Sequence, residues 1–306
     1  MPRTKFLLFI LCLIFPTVWC HAAGRVVVSV VFPSDIEAYQ QAWNGFKEFF
    51  DEKGVSLWAS EYDLKQEEPV EVYSRINKER PDIVLTLGTK ASKLAKEKIK
   101  DISVVFCMVF DPQKITALNI TGVSMEIPAK IKLQGIKRIL PHTKKIGLIY
   151  SPGSTPAYEE ISLLCSSIGF EIVRRKIDSE EEFPDALKDI SHKIDCFLMI
   201  PDSKIYFLKS VEYLLLESLR KGFPVVGLSS HYTKAGALFS FDCDYNDLGQ
   251  RAAKITLKIL NGEKPANIKP SNPKKINLSL NLITAERLEI KIPSQIIKEA
   301  SEVFGE

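Results

Sequence analysis

Three aspartates, Asp111, Asp202 and Asp242, each close an apolar run and open a polar turn. A carboxylate in that position can accept a charged hydrogen bond from an ammonium group. Each also has a structural alternative. Asp111 precedes Pro112 and suits a turn, Asp202 suits the cap of a following helix, and Asp242 suits a junction between two parts of the fold. Gly88-Thr89-Lys90 opens a helical pattern. Unpaired backbone N–H groups and the helix dipole favour an anion there, such as a ligand carboxylate. The Thr89 hydroxyl would add a donor or cap the helix. Ser34, with Asp35, stands at the start of the first helical pattern and has the same two readings. Ser151 and Ser229 add hydroxyls after other apolar runs. Phe32, Tyr150, Tyr206, His231, Tyr232 and Tyr245 lie near these turns, where one or two could stack on a flat ligand. Core or hinge packing competes for each of them, and Tyr245 joins the binding candidates.

Catalytic signatures are missing. The chain has no GxSxG, no HExxH, no Walker loop and no GxGxxG after its first strand. That strand ends in Pro33, where a dinucleotide turn needs glycine. His142, His192 and His231 are scattered and form neither a triad order nor a metal cluster. No cofactor and no metal are expected, and the residues describe a binder rather than an enzyme.

Strand and helix alternate along the chain. Val26 to Phe32 is almost wholly apolar, as a strand buried on both faces of a parallel sheet must be. Ile36 to Lys53 has helical period, with Tyr39, Trp43, Phe46, Phe49 and Phe50 as its buried stripe, and Gly54 closes it. Strands follow at 55–62, 82–87 and 103–109, with helices at 68–80 and 90–100 between them. A second round runs through helix 129–140, strand 145–150, helix 155–168, strand 171–176, helix 180–191, strand 196–200, helix 204–221 and strand 224–227. Two βαβαβ rounds with short loops give open parallel sheets with right-handed crossovers. Ligands of such sheets bind outside the carboxyl ends of the strands, where the candidate residues stand. A strand from Gly236 to Phe241 then leads to an amphipathic helix that stops at Asn261-Gly262, with Pro265 barring its continuation.

Met1 to Ala22 reads as a secretory targeting segment. Arg3 and Lys5 are its basic start, Phe6 to Phe15 its apolar core, and cleavage falls after Ala22. A lipid anchor on Cys20 is disfavoured by the bulky Trp19 before it. The remaining residues, 23–306, exceed one ordinary core and suit two lobes. The formal charge is only +3 and no basic patch stands out, so nucleic acid is not an expected partner. Of the later cysteines, Cys107, Cys165 and Cys196 lie in or beside apolar runs and read as buried thiols, whereas Cys243 sits in a polar turn.

The order Asp-x-x-x-Leu-Gly-x-x-Ala-Ala through Ile-Leu-x-Gly-x-x-Pro-Ala-x-Ile, at 244–268, resembles the closing segment of type I periplasmic binding proteins. It is most similar to the ABC-transporter substrate-binding family that includes tryptophan- and tyrosine-type binders. Further motifs match in order: Asp82-Ile83-Val84 with Leu87-Gly88-Thr89-Lys90-Ala91, Ile120 to Ser124, Lys145 to Gly153, Asn281-Leu282-x-Thr284-Ala285, and Leu288-x-Ile290-x-Ile292-Pro293. The resemblance implies an α/β fold of two Rossmann-like lobes joined by three hinge crossings. Lobe 1 would hold 23–123 plus 242–276, and lobe 2 would hold 124–241 plus 277–306. An exported chain could oxidise Cys165 with Cys196 within one lobe. The implied function is the solute-binding component of an ABC importer in the periplasm. It would close on a small molecule, an amino acid or a flat heterocycle, and dock on membrane permease subunits. A periplasmic sensor passing lobe closure to a signalling protein is the alternative.

Overall fold

The computed structural model describes residues 25–305. The expected targeting segment, with Cys20, lies outside the described residues. The first half runs β1 (Val26–Phe32), α1 (Glu37–Glu52), β2 (Leu57–Asp63), α2 (Pro69–Glu79), β3 (Ile83–Leu87), α3 (Gly88–Lys98), β4 (Val104–Val109) and β5 (Ile120–Ser124). These strands form one parallel sheet in the order β2-β1-β3-β4-β5.

The second half runs α4 (Ala129–Ile139), β6 (Lys145–Tyr150), α5 (Thr155–Ile168), β7 (Glu171–Lys176), α6 (Phe183–Ser191), β8 (Cys196–Leu198), α7 (Leu208–Lys221), β9 (Val225–Gly227), α8 (Ser230–Ala235) and β10 (Phe239–Cys243). The chain ends with α9 (Tyr245–Leu260), β11 (Ile276–Asn281), α10 (Leu282–Arg287), α11 (Ser294–Glu299) and β12 (Glu302–Phe304). The second sheet has the order β12-β11-β10-β9-β8-β6-β7, with β11 antiparallel to β10.

Alternation along β1 explains the first sheet's two cores. Val26, Val28, Val30 and Phe32 face α1 and α9, while Val31 faces the side covered by α2 and α3. In α1 the stripe Ala42, Trp43, Phe46, Phe49 and Phe50 is buried at helical spacing. α9 follows a strand of the second sheet yet packs on α1 of the first. Two glycines allow the contact: a Cβ on Gly249 would lie 1.8 Å from the Ala42 carbonyl oxygen, and one on Gly45 would lie 2.1 Å from that of Asn246. The second sheet packs α4 and α5 on one face and α6 and α7 on the other.

The chain passes between the sheets after β5, after β10 and before β11. Beside the first passage, residues 268–271 lie along β5: Ser124 N donates to the Ser271 carbonyl at 2.8 Å, and Thr121 Oγ1 donates to that of Ile268 at 2.6 Å.

Several elements differ from the sequence expectation. The helix expected from Lys204 begins at Leu208, because the chain before it is drawn into a turn by Asp202. The stretch 180–191 divides into a single turn at Glu180–Glu182 and α6. β10 extends to Cys243, beyond the expected Phe241. β5 and α8 were not anticipated as elements. All four described cysteines are free and buried, Cys243 included, and Cys165 is not joined to Cys196. No helix among the described residues is long and apolar enough to cross a membrane.

Candidate functional site

The candidate residues fall into three groups, each at the carboxyl end of parallel strands. The first is centred on Asp242, at the end of β10. Its Oδ1 accepts the Tyr245 hydroxyl at 2.9 Å and the Cys243 amide at 2.8 Å. Its Oδ2 accepts only a long bond, 3.3 Å, from the Ser230 amide. One oxygen is therefore saturated, and the other keeps acceptor capacity. Burial raises the Asp242 pKa above the ordinary carboxylate value, against the lowering effect of these donors and of His231. Burial and the neighbouring carboxylate push the Tyr245 phenol up, so it stays a donor.

Asp242 and Tyr245 line a pocket of about 310 Å³. Its walls come from both halves: Glu37, Ala38 and Gln41 on α1, and Ser230, His231 and Asn277 on the second sheet's side. Ser229 is half-buried beside it; it starts α8 through its backbone, and no side-chain bond caps the helix.

The second group joins β3 to β4. Gly88 has φ +79°, and a Cβ there would sit 2.5 Å from the Tyr39 hydroxyl oxygen. Both facts require glycine. Thr89 does not cap α3 with its side chain. Its Oγ1 instead accepts the Phe110 amide at 3.2 Å, which ties the two strand ends together. The Thr89 hydroxyl proton remains free to be given away. Asp111 adopts the left-handed region, φ 54°, and opens the turn at Pro112–Lys114 that the sequence suggested. Its carboxylate pairs with Lys114 at 2.5 Å, and its amide is held by Glu126 Oε1 at 2.7 Å.

The third group is internal. Asp202 Oδ2 accepts the Ser151 amide at 2.9 Å and the Ser154 hydroxyl, and Oδ1 accepts the Lys204 amide at 2.9 Å. Asp202 thus binds two loops together and is not a helix cap, since α7 starts six residues later at Leu208. Partial burial works to raise its pKa, but donors from Ser154, Lys204 and Ser151 outweigh burial and hold it below the usual value. Ser151 is fully buried, and its Oγ accepts the Gly153 amide at 3.2 Å, so it lies beneath the loop surface.

Ser34 is half-buried, and neither it nor Asp35 caps α1, whose first turn carries no side-chain cap. Asp35 instead takes a bond from Gln40 at 3.0 Å. Several aromatic candidates are occupied elsewhere. Tyr150 stacks on Tyr158 with centroids 4.3 Å apart, Tyr206 packs edge-on to Phe183, and Phe32 is buried in the first core. Sequence reasoning placed Tyr39 in the α1 core stripe. The structure leaves it half-buried at the end of that stripe, its hydroxyl against Gly88. Phe110, in the turn that ends the expected strand 103–109, is not among the aromatic candidates named from the sequence. No group of three or more metal-ligating side chains occurs among the described residues.

Two mostly parallel α/β sheets, linked by three passages and sharing a pocket lined from both halves, define the fold of a type I periplasmic binding protein. Solved structures agree on this fold. The ligand-free, open structure of a substrate binding protein with adhesive properties from Clostridium difficile has a TM-score of 0.77 at 19% identity, covering 92% of this chain and 100% of that one. An ABC domain in complex with L-Trp from Streptococcus pneumoniae has a TM-score of 0.69 at 22% identity, with the same coverage, 92% and 100%. Among curated proteins, a tyrosine-binding protein of Clostridioides difficile (strain R20291) is 21% identical over 231 residues. That match spans 72% of this chain and 66% of the relative, just under two thirds of its length.

The family model described as "ABC transporter substrate binding protein" matches residues 26–304, nearly all of the described chain. The chain belongs to that family, which binds substrates rather than converting them.

Proposed function

We propose that this protein captures a small zwitterionic solute, an amino acid, between its two halves and hands it to a membrane permease. The observation that carries the reading is the Asp242 pocket. A half-buried carboxylate with one under-used oxygen lines a cavity walled by elements of both sheets, where closure would enclose a ligand. Asp242 would accept the ammonium. The start of α3, with the Gly88 and Thr89 amides and the free Thr89 proton, would take the carboxylate. Asp111 is a second ammonium acceptor if the ligand displaces Lys114. Asp202 and Ser151 would act by holding the loops. The names of the relatives support an amino acid: one is a tyrosine-binding protein, another was solved with L-Trp. The family supports delivery to a permease on the outer side of the membrane, after removal of residues 1–22. Lobe 1 would comprise 23–123 plus 242–276, lobe 2 the rest.

Native mass spectrometry of residues 23–306, purified without refolding, tests the reading. A stoichiometric amino acid released on denaturation supports it. An empty protein that shows no thermal shift with any amino acid refutes it.

A further inference from the structure

The segment Met108–Asp111 is built at a cost that its fold alone does not require. Met108 has φ 61° and Asp111 has φ 54°, both left-handed and neither a glycine. Non-glycine residues persist in that region where surrounding bonds determine them. Here the β4–β5 register shifts between Cys107 and Val109, so that Val109 aligns with Ser124. The Val109 carbonyl accepts the Ser124 hydroxyl at 3.2 Å and the Met125 amide at 3.0 Å. The next two amides are held by side chains, Phe110 N by Thr89 and Asp111 N by Glu126.

This bracing presents one apolar side chain. Every residue of β4 is buried, and Phe110, the next residue, is 38% exposed. A phenyl that is partly exposed directly after a wholly buried strand keeps apolar surface in water that a ligand ring would cover. It stands beside the first turn of α3, because the Thr89 hydroxyl binds the Phe110 amide itself. The residue therefore adjoins the start of α3, where the ligand carboxylate is proposed to sit.

We infer that Phe110 is the specificity-determining residue of the cleft: an aromatic platform on which the flat side chain of the solute stacks while its carboxylate is held at Gly88 and Thr89. This rests on the amino-acid reading and narrows it to ligands whose ring lies within a few bonds of a carboxylate. The bulge at Met108 and the bonds from Thr89 and Glu126 fix the backbone that carries the ring before the ligand arrives, which reduces the ordering cost of binding.

The test compares ring-bearing and aliphatic amino acids (tyrosine, tryptophan and phenylalanine against leucine and methionine) by calorimetry on residues 23–306. Stacking contributes beyond area burial, so Phe110→Leu is expected to weaken the aromatic ligands about tenfold and the aliphatic ones by less than about twofold. Phe110→Tyr should restore the wild-type ratio. Phe110→Trp should report the ring by a fluorescence change on ligand addition that exceeds the wild-type change, a signal a purely structural role would not produce. Equal losses for both ligand classes, or an unchanged ratio, would overturn the inference while leaving the amino-acid reading intact. A wild-type protein that binds no amino acid would overturn both. Should Phe110→Leu fail to fold, the Phe110→Trp signal decides alone.

Discussion

Replacing Asp202 with asparagine should destabilise the protein without touching the ligand directly, and the size of the effect follows from its bonds. The carboxylate faces donors only: the Ser151 amide and Ser154 hydroxyl on one oxygen, and the Lys204 amide on the other. An asparagine must point its NH₂ at one of them. The Lys204 side is exposed, so the lost bond there can be replaced by water, whereas Ser151 is fully buried. The amide oxygen should therefore keep Ser151. Losing one bond, and the charged part of those that remain, costs about 2–3 kcal/mol, given ~1.5–3 for a bond to a charged group and ~0.5–1.5 for a neutral one. For a chain of this length that is a fall in Tm of about 4–6 °C. Asp202→Ala also strands the Ser151 amide and should lose about 1–3 kcal/mol more.

The pH dependence supplies the sharper check. The folded-state pKa of Asp202 is depressed, so its stabilisation is present above the unfolded-state value and disappears as the pH falls through the folded-state value. The Tm gap between wild type and Asp202→Asn, measured by circular dichroism, should stay constant from about pH 8 to 5 and close only below about pH 4. A gap under about 1 °C at pH 7, together with loss of ligand binding, would refute the reasoning. In that case Asp202 would belong to the ligand and not to the loops.

Asp242 should behave in the opposite sense. Its pKa is raised, so its ionised form is disfavoured by folding, and ammonium binding should fade on acidification at a higher pH than an ordinary carboxylate would give. Titration calorimetry of Asp242→Asn should show binding weakened by about ten- to a hundredfold, from the loss of a charged hydrogen bond of ~1.5–3 kcal/mol. Unaltered affinity would remove Asp242 from the site. Gly249→Ala should cost about 1–3 kcal/mol by overpacking, because its new methyl meets the Ala42 carbonyl at 1.8 Å; a melt identical to wild type would show that α1 and α9 do not pack this closely. Glu126 reaches solvent, but its carboxylate is set against the Asp111 loop, and that desolvation, with the charges of Asp111 and Glu160, raises its pKa. Such a group favours the fold below its unfolded-state pKa and loses that contribution as the pH rises through the folded-state value. Glu126→Gln keeps an oxygen for the Asp111 amide without the charge, so it should melt no lower than wild type at pH 7, and a lower Tm would contradict this.

The two sheets were legible because parallel strands buried on both faces leave long apolar runs, as Val26–Phe32 does. β5 was not, because its centre is Thr121-Gly122, and its strand character comes from β4 on one side and residues 268–271 on the other. Tyr39 packs against the core as the stripe implies, but its second contact was not legible. Helical period tells which face of α1 is buried, but not that the first turn of that face reaches beyond the core to Gly88. α8 spans only six residues, too few to show a helical period.

The site was legible only as chemistry. Residue type at a strand end says that a carboxylate or hydroxyl can bond; it does not say which lone pairs are already taken. The partners that fill Asp202 come from Ser151 and Ser154, some fifty positions away, and no local pattern encodes them. The same accounting shows why the structural and binding roles of Thr89 do not compete. A hydroxyl has one proton and two lone pairs. By spending a lone pair on the Phe110 amide, Thr89 fixes its own rotation and leaves its proton as the group still to be matched. An internal bond that consumes acceptor capacity at the end of β3 therefore makes that position a better donor toward a carboxylate, and places the donor next to the backbone of Phe110. For Asp202 three internal bonds fill Oδ2 and leave a single lone pair on Oδ1, and all three tie its own loops together. The distinction between a loop-holding residue and a ligand-holding one is thus set by which atoms remain unspent, and that depends on the assembled fold.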